Sequence, residues 1–175
     1  MRKIDSGLLL RYVFSIPPER VEENIINGIA PYFNALVNAS KKDIINAKAN
    51  RFINSLINIL LFIAISDNEI DELDIKFINK LVSSLGSKPL SLDEIKDKVK
   101  NSNLIENLDY DIDSFKKPRF LTADTYLYYD FIFGLFSFAR LSENEIHEVE
   151  YRFITNFLDP SFDKIADPEE LSNYI

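Results

Sequence analysis

Apolar residues recur at intervals of three and four along nearly the whole chain, and no stretch alternates apolar with polar residues for long. That spacing is the mark of helices that bury one stripe. It confines the chain to the all-α class. Within that pattern one phrase is written twice. "SDNEIDELDIKFI" runs from Ser66 to Ile78, and "SENEIHEVEYRFI" runs from Ser142 to Ile154. The copies share Ser, Asn, Glu, Ile, Glu, Phe and Ile in register. Asp67 pairs with Glu143, Leu73 with Val149, Asp74 with Glu150, and Lys76 with Arg152.

Each phrase follows a strongly apolar segment. Ile53, Leu56, Ile57, Leu60 and Leu61 form a stripe, and Ile59 to Ile65 is apolar all round. Phe131, Ile132, Phe133, Leu135, Phe136, Phe138 and Ala139 precede the second copy. A helix with no polar face is surrounded by other helices. The repeating unit is therefore a buried helix, a short acidic elbow and an amphipathic helix, with copies at about residues 53–86 and 129–162. Two copies are too few for a solenoid. They predict one helical domain over 1–175, a quasi-two-fold bundle of about seven helices.

Local signals place the ends. Ser15, Pro17 and Pro18 mark a helix start, because proline tolerates the first turn. Val21, Ile25, Ile26, Ile29, Phe33 and Leu36 then share a face. Ser40 is expected to cap the helix that ends near Ile65, and Thr122 the second apolar helix. Asp71 is a natural N-cap for the helix of the first phrase, whose buried stripe is read as Ile70, Leu73, Phe77, Ile78, Leu81, Val82 and Leu85. Gly86 should close it. Ser91 with Glu94 is a capping-box pair that opens a helix to about Lys100. Ile146, Val149, Phe153, Ile154, Phe157 and Leu158 form the matching stripe of the second copy. Residues 102–121 read as a long polar loop.

The composition narrows the function. A hydrophobic share of 46% suits a folded domain rather than a disordered chain. There is no Cys, so disulfides, thiolate catalysis and Cys-based zinc sites are excluded. The start "MRKIDSGLLLRYVF" is a poor signal peptide, and the longest apolar run is too short to span a bilayer. A soluble cytoplasmic protein is expected. The net charge is −8, unevenly spread. Residues 1–60 hold 8 Lys/Arg against 5 Asp/Glu, whereas residues 61–175 hold 12 against 23. Such a surface repels nucleic acid and attracts cations or basic proteins.

The stretch "LLFIAISDNEIDELDIKFINKLVSSLG", Leu60 to Gly86, resembles the tellurite-resistance TerB-like family. It has that family's hydrophobic helix ending in Ala, its acidic elbow and its amphipathic helix closing on Leu-Gly. Phe138 to Leu158 is similar to the family's second half. The resemblance covers about half the chain. It implies an all-helical fold with internal pseudo-symmetry and divalent-cation binding at the elbows. Where the family has Asp-Gly, this chain has Asp67-Asn68 and Glu143-Asn144. Asn tolerates a left-handed turn better than most residues.

Two sets of residues are candidates for a site. The elbow acids Asp67, Glu69, Glu143 and Glu145 could hold a weakly bound calcium or magnesium ion; no other cofactor is expected. Asp67, Glu69 and Asp71 alternate as calcium-loop ligands do, but Glu72 and Ile78 stand where an EF-hand needs Gly and Glu. The more economical reading is that these acids serve the positive end of a helix. The second set lies in "ENLDYDIDSFKKPRFLTADTYLYYDF". There Asp109, Tyr110, Asp111, Asp113, Phe115, Asp124 and Tyr126 combine aromatic anchors with acids that would steer a basic partner. The alternative is that the aromatic residues are core. With one His, no Cys and no Gly-rich phosphate loop, an enzyme is not expected. The reading favoured is a non-enzymatic acidic protein that neutralises a basic partner, such as a nuclease toxin, as an immunity protein does. The alternative is a TerB-like divalent-cation-binding stress protein.

Overall fold

The computed structural model describes residues 6–38, 45–66, 70–101, 104, 123–142 and 145–154. Among these residues the protein is all helical, with seven α-helices, one 3-10 turn and no strand. The helices are α1 (Ser6–Ser15), α2 (Val21–Asn38), α3 (Ile45–Ile65), α4 (Glu72–Ser84), α5 (Leu92–Asn101), α6 (Ala123–Ala139) and α7 (Glu148–Arg152). The chain divides into two compact units. One comprises Met1–Ile29 with Lys117–Ile175, the other Ala30–Lys116. The first copy of the repeat falls in the Ala30–Lys116 unit and the second copy in the other.

In the Ala30–Lys116 unit, α3 is the buried helix its sequence predicts. Leu56, Ile59, Leu60 and Leu61 are inaccessible to solvent. Phe52 lies against Phe33 and Tyr32, with ring centroids 5.2 and 6.1 Å apart. The amphipathic α4 buries Asp74, Phe77, Ile78, Leu81 and Val82. It starts where expected, at Asp71, whose carboxylate accepts the Leu73 N–H. It stops at Gly86, whose φ of +84° only glycine adopts without strain. There the Gly86 N–H donates to the Ser83 carbonyl and the Ser87 N–H to the Val82 carbonyl, the paired bonds of a Schellman motif. Asn79 then clamps the link to α5. Its amide donates to the Leu90 carbonyl at 2.9 Å and accepts the Leu90 N–H at 2.7 Å. The capping box of α5 is formed, with Ser91 N–H to Glu94 Oε2 at 2.7 Å and Glu94 N–H to Ser91 Oγ at 3.2 Å. The Ser91 backbone N–H first, and the Ser91 hydroxyl after it, hold the Glu94 carboxyl below its ordinary range.

In the other unit α6 is the buried helix. Phe131, Ile132, Leu135 and Phe136 are inaccessible, and Phe136 meets Tyr151 of the second copy at 5.8 Å. Arg140 follows α6 and is itself buried. It donates from one Nη to the carbonyls of Val13 and Ile16 at 2.7 and 2.8 Å, and its guanidinium lies 5.3 Å from the Phe14 ring centroid. A cation therefore sits on the carbonyl end of α1, where the helix dipole favours it. Burial pulls its pKa down, but an arginine stays charged.

Two sequence expectations are corrected. Ser15 is not a helix start; it is the last residue of α1, and its hydroxyl donates to the Tyr12 carbonyl at 2.6 Å. Pro17 is extended at φ −57° and ψ 143° and caps the 3-10 turn Pro18–Arg20 that leads into α2. A residue before proline avoids the helical region, so α1 must end there. The second correction concerns Leu73 and Val149, which are not in the buried stripes but are exposed. At about 100° per residue, each stands a quarter turn or more from the stripe centre, which belongs to Asp74 and Glu150. Ser40, Thr122, Phe157 and Leu158 lie outside the described residues.

Candidate functional site

The two elbows have the same backbone start. Asp71 caps α4 at φ −77° and ψ 151°, and His147 caps α7 at φ −75° and ψ 154°. Three residues on, the acid is buried in both copies: Asp74 in α4 and Glu150 in α7. Glu150 Oε2 accepts the His147 N–H at 2.7 Å, closing over the helix start. That inward turn of the third residue sends the second one outward. Leu73 is 38% exposed and Val149 53%. Leu73 follows the exposed Asp71 and Glu72, and Val149 adjoins Glu148, which pairs with Arg152.

Of the elbow acids, Glu145 is exposed in irregular backbone just before α7. Asp67, Glu69 and Glu143 lie outside the described residues, so the structure neither gathers nor separates the four. Among the described residues no group of three or more metal-ligating side chains comes together. Asp109, Tyr110, Asp111, Asp113 and Phe115 also lie outside the described residues. Asp124 and Tyr126 fall in the opening turn of α6, where only the backbone is described.

A different surface emerges in the unit that holds α1, the start of α2 and α6. The crossing of α2 and α6 is a glycine contact. A Cβ on Gly134 would stand 3.2 Å from the Ile25 carbonyl oxygen and 3.6 Å from the Gly28 Cα. Asn24 secures the crossing by donating to the Ser137 hydroxyl at 2.7 Å. Beside it lie two neighbouring recesses. One of about 180 Å³ is lined by Tyr12, Asn24, Asn27, Gly28, Asp130 and Phe133. The other, of about 310 Å³, shares Tyr12, Asn24 and Asn27 and extends to Ser15, Pro17, Arg20 and Glu23. Tyr12 is 53% exposed and meets Phe133 edge to face at 5.1 Å. Arg20 and Glu23 pair loosely at 3.7 Å on the outer rim. Asp130 has no cation beside it among the described residues. Lost hydration alone pushes its carboxyl above the ordinary range.

Sequence patterning did not single out this surface. Its one signal is glycine: the chain has only four, and Gly28 and Gly134 both sit inside helices, where glycine is costly unless a backbone comes close.

No family model, curated protein or solved structure matches the chain.

Proposed function

We propose that the protein is a non-enzymatic binding protein that captures and neutralises a basic protein partner, in the manner of an immunity protein against a nuclease toxin. The observation that carries this reading is the exposed aliphatic residue that opens the amphipathic helix of each copy. Leu73 and Val149 are at equivalent places, Leu73 beside Asp71 and Glu72 and Val149 beside Glu148, which pairs with Arg152. A lone exposed aliphatic residue is ordinary. The same exposure at both repeat positions, each beside at least one charged side chain, is what an interface anchor with a charged rim requires. The acidic excess after residue 60 agrees with it, since opposite charge speeds encounter and rejects wrong partners.

The test is capture from the native lysate by the tagged full chain, followed by kinetics with the purified captured protein. The expected partner is basic, binds in a near-equal amount, and associates at a rate that falls steeply as salt rises. Capture of an acidic partner, or an association rate indifferent to salt, would overturn the reading.

A further inference from the structure

We propose that the recess lined by Tyr12, Asn24, Asn27, Gly28, Asp130 and Phe133 is a receptor for an arginine side chain, with Asp130 as its counter-ion. It deepens the proposed function only in naming where a basic partner would place one residue. The chemistry of the recess stands apart from the partner's identity.

Four observations lead to arginine. The recess is small, about 180 Å³, so it admits one side chain rather than a chain segment. It holds a carboxylate with no ion pair or hydrogen bond among the described residues, although Arg20 and Glu23 on the adjoining rim have found each other. Its walls include the rings of Tyr12 and Phe133, and aromatic surface suits the flat, weakly hydrated guanidinium better than an ammonium. The Asn24 and Asn27 amides supply further oxygen near the carboxylate, and a guanidinium has five N–H donors to satisfy. The charged groups along both recesses are Asp130, Glu23 and Arg20, a net charge of −1, so a cation is favoured over an anion.

The floor keeps its shape because it is backbone. A Cβ at Gly28 would collide with the Asp130 carbonyl oxygen, so the two helices meet with nothing between them. The Asp130 backbone is thereby held against α2, and its residue lines the recess beside that contact. Partial burial raises the pKa of that carboxyl, and a guanidinium beside it would offset the cost to the ionised form.

The experiment is a titration of the full-length ¹⁵N-labelled chain with N-acetyl-arginine amide, followed by NMR, with N-acetyl-citrulline amide as the uncharged isostere. The expected result is saturable shifts at Gly28, Gly134 and Tyr12 with arginine and none with citrulline. Asp130→Asn should weaken arginine binding by about tenfold or more while leaving the spectrum otherwise folded. Tyr12→Ala, at an exposed position, should weaken it by a smaller factor. Equal shifts with citrulline, no saturable shift, or full affinity in Asp130→Asn would each overturn the inference. A partner captured with an empty recess would leave the proposed function standing alone. Arginine binding with no partner captured would leave the recess standing alone.

Discussion

Gly28 of α2 and Gly134 of α6 meet back to back, but their tolerance of a methyl group differs. A Cβ on Gly28 would strike the Asp130 carbonyl oxygen and come 3.1 Å from its carbon, both fixed backbone. A Cβ on Gly134 would be tight but not blocked, at 3.2 Å from the Ile25 carbonyl oxygen and the Ile29 Cγ1. Gly28→Ala is therefore expected to cost about 2–3 kcal/mol by forcing the helices apart. Gly134→Ala should stay within about 1 kcal/mol of the parent, because better helix propensity offsets the squeeze. Urea denaturation of the two variants checks the contrast, and equal stabilities would refute it.

Arg140 reaches back 127 positions to the Val13 carbonyl and 124 to that of Ile16. Arg140→Met keeps most of the volume but removes the guanidinium from both carbonyls, leaving that of Val13 only the Ile16 N–H at 3.3 Å. The expected loss is about 2–4 kcal/mol. Arg140→Lys should recover only part, because an ammonium is a point charge rather than a fork. Equilibrium denaturation of both variants decides the matter.

Asp130 has a folded pKa above its unfolded value. Such a group adds stability in its protonated form, an addition fully present below the unfolded pKa and lost as pH rises through the folded one. Asp130→Asn removes that dependence. It should stabilise the protein slightly at pH 7, by less than about 0.5 kcal/mol given its exposure. The gain should disappear on acidification below about pH 4. Thermal melts across pH read it directly; a variant less stable than the parent at pH 7 would contradict the cause assigned to the shift.

Glu94 shows the opposite sign. Its carboxyl is held down by hydrogen bonds from Ser91, so the stability it adds is present above the unfolded pKa and is lost as pH falls through the lower, folded one. Ser91→Ala should destabilise the protein at neutral pH by removing the helix cap and the hydroxyl's share of the hydrogen bonding, while the Ser91 backbone N–H stays in place. The difference between variant and parent should narrow in acid, as shown by denaturation at pH 7 and near pH 3.

Leu73 and Val149 are exposed at matched positions, so replacing both with Asp should leave stability within about 0.5 kcal/mol. The same change should raise the dissociation constant for a captured basic partner at least tenfold, or about 1.4 kcal/mol. Unchanged affinity in a folded double variant would show that neither residue anchors the partner.

Much of the fold is legible in residues a few positions apart. Asp71 caps α4, Gly86 ends it, and Ser91 with Glu94 opens α5, each as local rules demand. The two apolar segments are the buried helices α3 and α6. Within the described residues the stripes were legible at Phe77, Ile78, Leu81 and Val82 and at Ile146, Phe153 and Ile154, but not at Leu73 and Val149. Periodicity counts Leu73 and Val149 as apolar, but it does not register that Asp74 and Glu150 turn inward and displace them. Ser15 misleads for a related reason: a hydroxyl two residues ahead of a proline can serve the helix behind it as well as the one that follows.

The sequence by itself determined the helical class, the repeat and the ends of the Glu72–Ser84 and Leu92–Asn101 helices, because those follow from hydrogen bonds and burial patterns spanning a single turn or a few turns. Only the tertiary structure decided that Gly28 meets Gly134, that Arg140 caps α1, and that Tyr12 and Asp130 share a recess. Those pairings join residues more than a hundred positions apart, and they depend on how closely two backbones can approach, which no local pattern encodes.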